Sequence, residues 1–307
     1  MINKRLSGMK FEGVLVFFLF LSLVFTGLCN ASGVICFVDQ QDVLFQKLIV
    51  SAKSSIRSGL TVCCVETTDD KGIDKELSRV SSKFYDGVLV VGQTAFEKVK
   101  GRIVSDSPVA LCLYSRIRYK QRDFNRFSNY QIFPMMTPFS QYGPIFHSIS
   151  ADRGLSSMKV AVLHKSPSSF QNLDKCVVKS FHISSWGRLK STVKDALRWA
   201  DIIWLPADTA FTSTALSFVV KSSLKQKKPL MSSSPRVIKG GAVGGLIRSQ
   251  STVGRNAVRW INSMSGSDSF DDQFIYNPKV VKYIKISPPQ FFNGVRSATI
   301  SSYMSNN

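Results

Sequence analysis

Short uninterrupted apolar runs alternate along this chain with longer stretches in which apolar residues recur every three or four positions. Residues 34–38 (VICFV) form the first run. Residues 42–58 then place Val43, Leu44, Lys47, Leu48, Val50 and Ile56 at roughly helical spacing. Runs at 60–65, 87–91 (GVLVV) and 108–114 follow, with helices predicted over 74–83 and about 93–100 between them. These runs are continuous rather than alternating, which predicts parallel strands covered on both faces. Four strand–helix units in the first lobe point to a doubly wound α/β arrangement.

The rhythm breaks at 115–131. There Arg116, Arg118, Lys120, Arg122 and Arg126 interleave with Tyr119, Phe124, Phe127 and Tyr130. A strand is predicted over 130–136, and Pro134, Pro138, Gly143 and Pro144 mark a crossing between lobes. A second series then begins. It has strands at 158–163, 176–183, 202–205 and 229–231, helices at about 187–200 and 210–225, and a glycine-rich turn at 240–245 before a short run ending at Ile247. Val253, Ala257, Trp260 and Ile261 stripe a helix over 252–264, and 280–286 reads as a last strand. The expected architecture is two doubly wound, Rossmann-like lobes with a hinge and an interlobe cleft. The first lobe is drawn from 32–139 plus about 240–265, and the second from 140–239 plus about 266–294. A Ser/Asn-rich tail over 295–307 is expected to fray.

The start of the chain reads as an address. Lys4, Arg5 and Lys10 precede fifteen almost purely apolar residues, 14–28 (VLVFFLFLSLVFTGL), and small residues follow. That run is short of the roughly 20 residues a spanning helix needs and matches a secretory signal, with cleavage expected after Ala31. An uncleaved N-terminal anchor is the other reading. Leu28 and Thr26 sit the wrong way round for a lipid-bearing Cys29. Export implies an oxidising, periplasmic setting. Five cysteines remain beyond residue 31: Cys36, Cys63, Cys64, Cys112 and Cys176. Their apolar surroundings favour buried small filler, with a bridge from Cys36 to Cys63 or Cys64 as the alternative.

Length and composition exclude several classes. At 307 residues, 44% apolar and 20% charged, the chain is neither disordered nor a small disulfide scaffold. Its charge is unusual: 40 basic against 20 acidic residues, +20 in all, of which removal of 1–31 leaves +18. Such a balance bears on encounter and partners rather than on fold. The Arg/aromatic stretch could face an anionic envelope surface; nucleic acid is not an expected partner of an exported chain. No HExxH, GxSxG, GxxxxGK[ST] or GxGxxG pattern occurs, and His147, His164 and His182 stand apart. Asp69-Asp70 and Asp271-Asp272 read as solvated loop residues, and the GGAVGG run at 240–245 as a turn with tight packing rather than a phosphate cradle. No catalytic set, cofactor or metal site is expected.

One region resembles a known family. Residues 200–211 (ADIIWLPADTAF), an amphipathic helix, 227–249 (KKPLMSSSPRVIKGGAVGGLIRS) and 251–264 (STVGRNAVRWINSM) together resemble the substrate-binding proteins of bacterial ABC transporters, in the periplasmic-binding-protein-like class I superfamily. The matching features are Ala200-Asp201-Ile202-Ile203 and the loop carrying Asp208, Lys228-Pro229, Gly241-Ala242, and Gly254 to Ala257. In the first half, 86–99 (DGVLVVGQTAFEKV) is similar to a first-lobe strand and helix start. The resemblance implies a two-lobed, non-catalytic trap. A small solute, an amino acid among the candidates, would be held between the lobes and passed to an ABC permease. It places ligand contacts at Gln93, Thr94, Asp208, Thr209, Ser233 and Ser234, with Asp208 facing an ammonium group. The Gly-Ser/Thr ligand loop after the first strand is missing, because Val38 is followed by Asp39-Gln40-Gln41-Asp42. The alternative expectation is a diverged envelope module that uses its basic face to bind a protein or polyanion.

Overall fold

The computed structural model describes residues 33–39, 43–56, 58–82, 84–103, 106–113, 124, 127–165, 170, 173–206, 211–265, 270–287 and 297–305. The expected signal segment and the arginines and lysine of 115–126 lie outside these residues.

The first lobe is built on a five-stranded parallel sheet. Its strands are β1 (Val34–Val38), β2 (Leu60–Cys64), β3 (Gly87–Val91), β4 (Val109–Leu113) and β5 (Tyr130–Pro134), in the order β2-β1-β3-β4-β5. β1, β3 and β4 are buried on both faces, as their continuous apolar sequences require. Ile35 and Phe37 pack under α2 (Asp70–Ser81) and α3 (Gln93–Val99), while Val34, Cys36 and Val38 face α1 (Val43–Ser55). β2 lies at the sheet edge, so Thr61 and Val62 are exposed. Helix α2 starts before the expected position because Asp69 caps it, accepting a hydrogen bond from Gly72 N at 2.9 Å. Asp69 is therefore a cap rather than a free loop carboxylate.

The aromatic part of the Arg/aromatic stretch is core. Phe124 and Phe127 are buried, and Phe124 stacks on Phe96 at 5.5 Å and on Tyr130 at 5.2 Å. Their spacing of three residues seats all three rings beside α3.

After β5 the chain crosses through a short 3₁₀ turn (Phe139–Tyr142) into α4 (Gly143–Asp152), a helix that the Gly-Pro start had concealed. The second sheet contains β6 (Met158–His164), β7 (Cys176–His182), β8 (Ile202–Leu205), β9 (Leu230–Ser232), β10 (Gly244–Arg248), β11 (Asp272–Tyr276) and β12 (Ser297–Thr299). Their order is β12-β11-β10-β9-β8-β6-β7, with β10 antiparallel to β11 and every other pair parallel. Helices α5 (Trp186–Trp199), α6 (Ser213–Lys225) and α7 (Pro235–Lys239) cover one face; α4 and α9 (Pro278–Ile284) cover the other.

Three expectations need correction. Residues 280–286 are helical, not a strand: Val280, Val281 and Ile284 share one buried face, Asn277 caps the helix and Pro278 occupies its first turn. The tail carries regular structure over 297–305, where β12 pairs with β11 and α10 (Ile300–Ser305) seats Ile300 in the core. Within 240–265, β10 belongs to the second sheet, and only α8 (Gln250–Ser263) packs on the first lobe, where Val253, Ala257 and Trp260 join the cluster containing α1 residues. The glycine-rich turn is tight packing: a Cβ on Gly245 would collide with the Ser232 carbonyl. All five described cysteines are buried free thiols, with no bridge from Cys36.

Candidate functional site

Both sheets share one winding scheme. β2-β1-β3-β4-β5 in the first lobe corresponds to β7-β6-β8-β9-β10 in the second. In such sheets the order reverses beside the first strand, and the crevice at the carboxyl ends there is where ligands bind. The first lobe's reversal point lies between β1 and β3, next to Asp39 and Gly92.

At that crevice a side chain of the protein occupies the helix N-terminus. Asp39 is buried, and its carboxylate accepts hydrogen bonds from Gln93 N at 2.9 Å and from Ala95 N. It thereby caps α3 from across the sheet, taking the place an anionic ligand would occupy at that helix N-terminus. Gly92 permits this with φ 96° and ψ 169°; a Cβ there would collide with the Asp39 carboxyl group. Burial pushes the Asp39 carboxyl above its usual range, against the opposing pull of the Ala95, Thr94 and Gln93 amides, and the Glu66 charge pushes it further up. Gln93 is half-buried and Thr94 exposed, and their amides already serve Asp39.

The lobes are stitched together where three segments cross. Arg248, at the end of β10, donates to Asp272 at the start of β11 through Nε and Nη2, both at 2.8 Å. Its Nη1 donates to the Pro134 carbonyl at the end of β5 at 3.0 Å, and its guanidinium lies 3.9 Å from the Phe270 ring centroid. Gln250 Nε2 adds a bond to the Met135 carbonyl at 2.9 Å. The side chains of Arg248 and Asp272 are 1% and 10% exposed. Asp272 is thus a buried ion-pair partner, not the solvated loop residue its acidic neighbour suggested. Nothing local in the sequence singled out this pair; only the antiparallel register, which sets Arg248 opposite Asp272, brings it together.

Beside these crossings lies a cavity of about 510 Å³ lined from both lobes. Lys47 of α1 and Ser249, Gln250 and Ser251 at the start of α8 come from the first-lobe side. Ser234, Pro235, Arg236 and Lys239, around α7, come from the second. Ile247, Asp271, Gln273, Tyr303 and Met304 complete the wall. Of the sequence-expected contacts, Ser234 lines this cavity, whereas Gln93, Thr94 and Ser233 do not. Ser233 is buried, and Ser232 is tied up locally, its hydroxyl accepting from Ser234 N at 3.2 Å. Asp208 and Thr209 lie outside the described residues. Pro206 and Phe211, which flank that segment, line a smaller cavity of about 140 Å³ that shares Ser234 and Arg236. A separate open groove of about 740 Å³ runs along β7 and α5, past Lys179, Asp195 and Arg198, with no first-lobe wall.

No family model and no curated protein sequence matches the chain. Solved structures do. A ligand-free, open substrate-binding protein with adhesive properties from Clostridium difficile superposes with a TM-score of 0.62 at 10% identity, covering 87% of this chain and 99% of the other. This chain has the fold of two-lobed solute-binding proteins. An ABC domain from Streptococcus pneumonia in complex with L-Trp is similar at TM-score 0.52 and 17% identity, over 84% of this chain and 96% of that one. A glucose-galactose binding protein from Geobacillus stearothermophilus gives 0.51 at 10% identity, over 80% and 97%. Some motifs that carried the sequence resemblance have structural work. Lys228 Nζ donates to the Ala200 carbonyl at 2.7 Å, and Asp201 accepts from Lys159 N at 2.9 Å. Among the described residues no group of His, Cys, Asp and Glu could hold a metal ion, and no helix is long and apolar enough to cross a membrane.

Proposed function

We propose that the chain is an exported solute-binding protein that captures a small solute between its lobes and hands it to an ABC importer. The observation that carries this reading is the cavity of about 510 Å³, lined from both lobes beside the three crossings. Its size suits a small molecule, and its position lets closure of one lobe on the other bury what it holds. The shared fold supports the same reading. Ser234 belongs to the proposed contact set, and Asp208 and Thr209 remain proposed contacts from the neighbouring loop, Asp208 for an ammonium group. Gln93, Thr94 and Ser233 stay in the set only if closure brings them to the solute. Export follows from residues 1–31, and an intact mass starting at Ser32 would support cleavage.

A thermal-shift screen of the chain against amino acids and sugars tests the binding role. A solute that binds only the folded form raises stability by about 2.7 kcal/mol at a hundredfold excess over Kd. At least one solute should raise the melting temperature in a concentration-dependent way. A flat response across the whole library would overturn the reading.

A further inference from the structure

We infer that the open groove between β7 and α5 is a docking surface for a linear carboxylated polysaccharide. The groove lies on the second lobe, apart from the interlobe cavity, and the inference does not rest on the solute-binding reading.

The positive charge of the chain is unevenly placed. Residues 33–113 of the first lobe carry ten basic and ten acidic side chains, whereas 158–239 of the second carry fourteen basic against four acidic. The groove opens on that basic lobe and is lined by Lys159 of β6, Lys179 of β7 and Arg198 of α5. Arg198 pairs with Asp195, three residues earlier on the same helix, at 3.7 Å. Both side chains are exposed, and such a pair is weak enough to exchange partners. The Lys159 backbone amide donates to Asp201, but the Lys159 ammonium pairs with no carboxylate among the described residues, nor does that of Lys179. His182, also in the wall, is held through Nε2 by the Lys165 carbonyl at 2.7 Å. A concave surface lined by cations concentrates anions.

The lining chooses among anionic partners. Lys179 lies over the rings of Phe181 and Trp199, 5.3 and 5.7 Å from their centroids. Those faces are thereby taken, and a single-stranded nucleic acid finds no stacking platform for its bases. The same two rings are the only apolar lining residues among those described, so a protein partner finds no pocket for an apolar anchor side chain. A membrane is flat, whereas these cations line a groove. A second copy of the chain brings the same charge of +20 and is repelled. A chain rich in hydroxyls with repeated carboxylates fits what is left. Its carboxylates meet Lys159, Lys179 and Arg198, and its hydroxyls meet Thr192 and Asp195. The walls come from the second lobe alone, so a long chain is not enclosed as a small solute is.

The test is calorimetric titration of the full chain with polygalacturonate, beside its methyl-esterified, uncharged form, poly-L-glutamate, oligo-dT and phosphatidylglycerol vesicles. Polygalacturonate should bind best, and its affinity should fall about tenfold or more between about 50 and about 300 mM salt as its counterions are released. Lys159→Gln/Lys179→Gln should weaken it about tenfold. Lys53→Gln/Lys75→Gln, which removes two exposed first-lobe charges, should leave it nearly unchanged. Melting temperatures check that both variants fold. If the first melts early, Lys159→Gln alone should still weaken binding, and Lys179→Arg, which keeps the charge, should not; the reverse pattern overturns the groove as the site. Equal binding of the ester, equal losses in the two double variants, or no binding of polygalacturonate overturns the proposal. Tighter binding of poly-L-glutamate, oligo-dT or vesicles overturns the polysaccharide as occupant.

Discussion

The pairing of Asp39 with Gly92 makes a demand that can be measured as a coupling. Replacing Gly92 with Ala should act twice. First, φ 96° with ψ 169° lies in a region essentially restricted to glycine, and forcing a side chain there costs about 1–3 kcal/mol. Second, the new Cβ occupies the place of the Asp39 carboxyl group. The carboxylate must leave, stranding the amides of Gln93 and Ala95, which costs about 1–3 kcal/mol more. Asp39→Ala alone should lose only this second part. In the double variant the amides are already stranded, so Gly92→Ala should add only its backbone strain. The double variant should therefore be about as stable as Gly92→Ala, with a coupling of about 1–3 kcal/mol between the sites. Urea denaturation at pH 7, followed by tryptophan fluorescence with m-values compared, measures all four corners. Additive losses would refute the argument, since they would mean that the carboxylate and the glycine do not share one space.

Three further outcomes are expected. Arg248→Met leaves Asp272 charged and buried without its partner and should cost about 3–5 kcal/mol, whereas Arg248→Met with Asp272→Leu should recover much of the loss; urea midpoints decide, and a single variant as stable as wild type would count against the stitched crossing. Because burial raises the folded-state pKa of Asp39, the proton-linked part of its contribution is fully present below the unfolded carboxylate pKa of about 3.9 and is lost as the pH rises through the folded value, leaving at pH 7 the amide bonds of the carboxylate. The stability advantage of wild type over Asp39→Asn should accordingly be larger at pH 4 than at pH 7, and the opposite trend would reverse the assigned cause. In the chain lacking residues 1–31, a thiol reagent should label none of the five buried cysteines in the folded state and all of them in denaturant; fewer than five in denaturant would reveal a bridge.

Local pattern along the chain was enough to read the two-lobed α/β architecture. Strands covered on both faces must be apolar at every position, and helices covered on one face must repeat every three or four, so VICFV, GVLVV and the stripe Val253, Ala257, Trp260 announce their elements locally. It failed where a local pattern fits two structures. Val280–Ile284 is short enough to read as a strand, and only its cap and its covered face make it a helix. Phe124 and Phe127 looked like surface aromatics among arginines because their partner Phe96 is distant in sequence. The site was less legible still. Ser234 stood out as a small polar residue after a strand, yet Lys47, Arg236 and Lys239 were three basic residues among forty. Which charges meet depends on contacts between segments far apart in the chain. Asp39 meets α3 and Arg248 meets Asp272 because strand order and register fold distant segments together, and charge carries no periodicity from which those meetings could be read.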